Sequence, residues 1–143
     1  GVRLKIIGDY SRFGRDIESL IKSAEELTQN NTKITLIIAL NYGFRDDMTQ
    51  TVKFLAQCIH KGQLTPEEIT EELISASLST ADYPDPDLLI RTSGEQRLSN
   101  YMLWELAYTE LYFSQTYWPD FTKEELLKAL NSFSQRQRRY GGN

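Results

Sequence analysis

Residues Asp85 to Asn100 read DPDLLIRTSGEQRLSN, and this stretch decides the fold. Leu88-Leu89-Ile90 is a short apolar run that delivers Arg91 at its end. A polar loop with Gly94 follows, then Arg97 and Ser99, and then an aromatic and aliphatic segment whose spacing predicts a helix from Ser99 to about Tyr108. Arginine presents a planar fork of donors that suits phosphate oxygens. A helix N-terminus at Ser99 would add unpaired N–H groups and a favourable dipole. With Leu88 to Thr92 as a parallel strand, the loop lies at the strand's C-terminal end, where open α/β sheets bind ligands. The plainer alternative makes the arginines surface residues and Ser99 only an N-cap.

Outward from this stretch, strand-like and helix-like segments alternate. Leu4 to Ile7 reads as a strand ending at Gly8-Asp9, and Ser11 is placed to cap the helix after it. Ile17, Leu20, Ile21, Ala24 and Leu27 recur at helical spacing. Lys33 to Leu40 is a nearly continuous β-branched and apolar run, the pattern of a strand buried on both faces. A helix is predicted from about Arg45 to His60, with Met48, Val52, Leu55, Ala56 and Ile59 inward and Gly62 as its stop. Thr65-Pro66-Glu67-Glu68 has the form of a capping box opening another helix that ends before Tyr83-Pro84-Asp85-Pro86. A short strand, Glu110 to Phe113, precedes a last helix from Lys123 to about Arg138, with Thr122 and Glu125 as its capping pair. Strands alternating with helices imply an open, mainly parallel sheet flanked by helices. No GxGxxG follows any strand, so this is not a dinucleotide-binding Rossmann domain.

The chain has 143 residues, 40% hydrophobic and 25% charged, which points to one globular domain, residues 1–143. A net charge of −4 argues against a general nucleic-acid binder. The single cysteine, Cys58, permits no intrachain disulfide and fits a reducing, cytoplasmic setting. No apolar run approaches the ~20 residues of a membrane span. His60 has no partner at metal-ligand spacing, and Trp104 and Trp118 read first as core. The chain opens at once on a strand-like run, as if inside a domain.

The segment from Asp87 to Phe113 closely resembles the signature block of the cis-prenyltransferases, the undecaprenyl diphosphate synthase or isoprenyl transferase family. The matching residues are Arg91, Thr92, Ser93, Gly94, Glu95, Arg97, Ser99, Asn100, Trp104, Ala107, Tyr108 and Glu110-Leu111-Tyr112-Phe113. Trp118-Pro119-Asp120-Phe121, Arg139-Tyr140-Gly141-Gly142, Ile6-Ile7-Gly8-Asp9 and Asn41-Tyr42-Gly43 with Arg45 match further family strings.

The resemblance implies an Mg²⁺-dependent transferase that condenses isopentenyl diphosphate with an allylic diphosphate into a cis (Z) polyprenyl diphosphate. By that likeness Arg91, Arg97 and Ser99 hold the diphosphate of isopentenyl diphosphate, and Glu110 is a Mg²⁺ ligand. Arg139 and Gly141 belong to an element that reaches across a homodimer toward the partner's substrate. Arg136 and Arg138 have an equally good reading as basic residues complementing a helix C-terminus. Leu36 and Ile38 are core residues first and candidate walls of the product tunnel second. The family implies a cytoplasmic enzyme whose membrane contact is peripheral and comes through its lipid product.

Two departures are small. Phe44 stands where relatives carry a second glycine after Asn41-Tyr42-Gly43, and Ser93 replaces a common glycine. The large one is an absence. The Asp-Gly-Asn-x-Arg-(Trp or Tyr)-Ala block, which carries the catalytic aspartate, and the Phe-Ser-x-Glu-Asn block do not occur. The expectation is therefore the C-terminal part of such an enzyme, with no catalytic residue of its own and no turnover alone. Rival readings are a non-catalytic subunit of a heteromeric cis-prenyltransferase and an anion-binding α/β module.

Overall fold

The computed structural model describes residues 1–136, and Arg138, Arg139 and Gly141 lie outside them. The chain divides into two compact units, Gly1–Tyr83 and a second beginning at Pro84.

The first unit is a β-α-β-α arrangement followed by short turns. Strands β1 (Val2–Ile7) and β2 (Ile34–Ala39) run parallel, with Val2 opposite Ile34 and Ile7 opposite Ala39. Helix α1 (Gly14–Thr28) crosses between them and packs on β1. It also closes the outer edge of that strand: Leu4 N–H donates to Thr28 Oγ1 at 3.0 Å and Ile6 N–H to Glu25 Oε1 at 2.9 Å. Side chains thus satisfy backbone donors that would otherwise offer a pairing edge. Ser11 does not cap α1, which starts at Gly14; its amide and hydroxyl both donate to Asp9 Oδ1.

Helix α2 (Phe44–His60) follows β2, and Gly62, at φ +68°, ends it where the spacing predicts. Gly43 is extended and Phe44 opens the helix with no left-handed backbone, so a side chain at position 44 costs the turn nothing. The glycine this turn requires is Gly8. Its φ is +95°, and a Cβ there would meet the Leu40 carbonyl oxygen at 2.2 Å.

Other expectations fail in this unit besides the Ser11 cap, and Val52, expected inward on α2, is 55% exposed. The helix foreseen from Thr65 onward is a 3₁₀ turn (Pro66–Glu68) followed by the short helix α3 (Glu71–Ser75), capped by Thr70, whose hydroxyl accepts from Leu73 N–H. Glu68 reaches back to the Thr65 amide, the Thr65 hydroxyl donates to the same carboxylate, and Glu68 N–H goes to the Thr65 carbonyl. The capping box between Thr65 and Glu68 forms as expected, but the turn it opens is a 3₁₀ turn that tightens instead of propagating. Nor is β2 covered on both faces: Ile34, Leu36 and Ile38 are 61%, 49% and 39% exposed. These alternate residues share one face, and that face stays open. The buried apolar residues are Ile7, Ile21, Leu55 and Leu78.

The second unit holds a parallel pair, β3 (Leu88–Arg91) and β4 (Glu110–Phe113), with Leu88 opposite Glu110 and Arg91 opposite Phe113. Helix α4 (Lys123–Ser134) packs on β4, and Ala129 is fully buried. Glu125 does not return to cap α4 at Thr122; it bonds Lys128 and Thr116.

The helix predicted from Ser99 to Tyr108 does not form. Ser99, Asn100 and Met102 have φ of 51°, 64° and 44°, and the segment is a series of separate turns. Left-handed backbone at non-glycine residues costs about 1–2 kcal/mol each and cannot continue a right-handed helix. The residue types favoured helix; the backbone path out of the arginine loop overrides that preference. Both units are α/β with parallel strands.

Candidate functional site

Arg91 is the last residue of β3 and is half-buried. Its carbonyl accepts from Ser114 N–H at 2.8 Å, which ties the strand end to the segment after β4. The loop then turns left-handed twice, at Ser93 (φ 67°) and Gly94 (φ 70°). The two amides of that turn are occupied: Ser93 N–H donates to Thr116 O and Gly94 N–H to Ser114 O, both at 2.9 Å. The backbone therefore gives the loop its shape and does not present these amides to an anion. Ser99, exposed and left-handed, is neither an N-cap nor part of a helix N-terminus. Anion binding here rests on side chains alone.

Arg97 is 66% exposed and its Nη1 pairs with Glu95 Oε2. The loop thus offers a solvent-facing guanidinium six residues after Arg91, which ends the strand. An exposed ion pair of this kind is weak, so Glu95 holds Arg97 only loosely.

Glu110 stands elsewhere. It opens β4 opposite Leu88, three strand positions from the Arg91 level. That is roughly 10 Å along the ladder. Side chains alternate along a strand, so Glu110 shares a face with Leu88 and Ile90, and Arg91 lies on the other. Arg91 ends β3, Arg97 and Ser99 follow in the loop after it, and Glu110 is not part of that loop. Glu110 Oε2 instead accepts from Arg136 Nη1 at 2.8 Å. The same nitrogen donates to the Leu111 carbonyl at 2.9 Å, and Nη2 lies 3.5 Å from Ser132 Oγ. Arg136 follows α4, and the basic-tail spacing gave no sign of this partner.

Glu110 fits Mg²⁺ in donor type. It is a hard carboxylate, 27% exposed, and Mg²⁺ takes one or two carboxylates, keeps waters and draws its remaining ligands from substrate phosphates. It does not fit an ion that needs a protein cage: among the described residues no three His, Cys, Asp or Glu side chains group for a metal. His60 and Cys58 are on α2, in the first unit, and join no such group.

Two hollows complete the picture. One, of about 220 Å³, lies where β1 and β2 end in the first unit and is lined by Asp9, Asp46, Asp47, Gln50 and Ser79. Asp9 is held below the usual carboxylate range first by the Ser11 hydroxyl and then by the Ser11 amide. Asp47 accepts from the Ser79 amide and hydroxyl. Three carboxylates make this a poor diphosphate site despite its place at the strand ends. The other, in the second unit, is apolar, lined by Leu88, Ile90, Leu126 and the stacked pair Trp118–Phe121, whose rings are 5.8 Å apart. Trp118, read as core, is 70% exposed.

The prenyltransferase family model, that of undecaprenyl diphosphate synthase, matches residues 1–141. The chain is similar to the isoprenyl transferase of Rhizobium meliloti, at 51% identity over 141 residues, covering 99% of the chain and 57% of the relative. It is similar to the farnesyl-diphosphate-specific ditrans,polycis-undecaprenyl-diphosphate synthase of Pasteurella multocida, at 48% identity, covering 99% and 59%. In structure it resembles lavandulyl diphosphate synthase of Lavandula x intermedia, solved with dimethylallyl diphosphate, with a TM-score of 0.95 and 39% identity over 98% of the chain and 60% of that protein. The chain thus spans somewhat over half the length of the relatives it matches. With a family match across nearly its whole length and the arginine loop in place, the chain belongs to the undecaprenyl diphosphate synthase family of prenyltransferases.

Proposed function

We propose that this chain is the isopentenyl diphosphate half of a cis-prenyl diphosphate synthase, with Arg91, Arg97 and Ser99 as its diphosphate ligands. The observation that carries this reading is the placement of Arg91 at the C-terminal end of a parallel strand, with Arg97 exposed in the same loop. Two guanidiniums neutralise a diphosphate and fix its orientation. The hydroxyl of Ser99 supplies a further donor without help from a helix.

Glu110 is proposed separately as a Mg²⁺ ligand, since it does not share the arginine loop. Mg²⁺, when bound, would supply charge neutralisation to the diphosphate that leaves the allylic carbon. The residues of this chain hold isopentenyl diphosphate still while that happens; ionisation of the allylic donor falls to the part of the enzyme that relatives carry and this chain does not match. Arg139 and Gly141 are proposed to serve a partner's diphosphate in a homodimer, and the enzyme to work in the cytoplasm. Among the described residues no helix is long and apolar enough to cross a membrane. Relatives named for undecaprenyl diphosphate and for lavandulyl diphosphate match the same chain. Retention of Arg91, Arg97 and Ser99 favours this reading over a non-catalytic subunit.

Calorimetric titration of isopentenyl diphosphate into the chain tests the proposal. Losing one charge-assisted contact set through Arg91→Ala is expected to weaken binding about 10- to 100-fold. Equal affinity in the variant, or no binding by the parent chain, rejects it.

A further inference from the structure

Arg136 lies two residues past the end of α4, and its guanidinium closes on the carboxylate of Glu110. Three acceptors meet this one group: Glu110 Oε2, the Leu111 carbonyl and Ser132 Oγ. The side chains of the pair are 32% and 27% exposed, so water screens their attraction only in part. A guanidinium in that position cancels much of the field that would draw a cation to Glu110. A divalent ion on the same carboxylate would sit close enough to Arg136 for like charges to oppose.

We propose that Arg136 is the resident counter-ion of Glu110, a positioning residue that holds the carboxylate and sets how strongly Glu110 takes a divalent cation. The inference rests on the reading of Glu110 as a metal ligand and adds a residue to it. Arg136 keeps Glu110 neutralised while no anion is near. The paired carboxylate therefore binds the free ion weakly.

The test uses Mn²⁺ as the probe, with its binding to the 143-residue chain read by water-proton relaxation in the absence of diphosphate. Arg136→Gln is expected to tighten Mn²⁺ binding about tenfold, the scale on which one neighbouring charge shifts a carboxylate's equilibria. Arg136→Lys keeps the charge and is expected to stay near the parent affinity. Glu110→Gln is expected to abolish the site in either background. Thermal melts show which variants fold, and Arg136→Met serves as the second neutral replacement. If Glu110→Gln loses the ion while neither neutral variant binds it more tightly, Glu110 stands as the ligand and the role of Arg136 is overturned. If Glu110→Gln binds Mn²⁺ as the parent does, the metal reading of Glu110 and this inference fall together, while the arginine loop is still judged by its own titration.

Discussion

Arg136 Nη1 is shared between Glu110 Oε2 at 2.8 Å and the Leu111 carbonyl at 2.9 Å, so one nitrogen ties the end of α4 to the first two residues of β4. This is a clamp between a helix end and a strand start, and it acts on the fold whether or not a metal binds. The pair is partly exposed, and such pairs contribute about 1 kcal/mol or less. A double-mutant cycle of Arg136→Ala and Glu110→Ala in urea is expected to show coupling of about that size. The coupling should shrink in high salt. Strictly additive single effects would show that the clamp contributes nothing.

Ser93 occupies a left-handed position that favours glycine. Replacing it with glycine removes about 1–2 kcal/mol of backbone strain and adds about 0.5–1 kcal/mol of unfolded-state entropy. Ser93→Gly is therefore expected to raise stability by up to about 1.5 kcal/mol, and Ser93→Val to lower it. The urea midpoints of the two variants, compared with the parent chain, decide it; a destabilised glycine variant would contradict the backbone reading.

Ala129 on α4 is fully buried. Ala129→Leu forces extra methylenes into the contact and is expected to cost about 1–3 kcal/mol. The same change at Leu127, 46% exposed, is not available as an enlargement, so Leu127→Ala is the control; a small effect there and a large one at Ala129 is the expected contrast in thermal melting.

Glu68 is held below the usual glutamate range first by the Thr65 amide and then by the Thr65 hydroxyl. Its folded value is depressed, so its contribution to stability is present above the unfolded glutamate range. It is lost as pH falls through the folded value. Glu68→Gln is therefore expected to flatten the loss of melting temperature between roughly pH 5 and pH 3. An unchanged acid limb in the variant would remove the assignment.

Local signals carried much of the architecture. Gly62 marked the end of α2, and the apolar runs marked β3 and β4, because these depend on residues next to one another. The string from Arg91 to Ser99 pointed to a diphosphate loop for the same reason: guanidinium donors and a glycine turn are legible as residue types. Residues 99–108 show the limit. Their side chains favour a helix, and three left-handed residues set by the path of the loop forbid one. The exposure of Ile34, Leu36 and Ile38 was equally illegible, since a strand's sequence states what it can bury and not what lies against it.

By itself the sequence determined the family, the alternation of strands and helices, and which residues have the chemistry to meet a diphosphate. Only the tertiary structure decided how those residues are grouped. Parallel register and side-chain alternation put Arg91 and Glu110 at opposite ends and on opposite faces of one ladder. It also gave Glu110 its partner, Arg136, 26 residues away. Contacts at that separation depend on how a helix returns along a strand, and no local spacing in the chain encodes that distance.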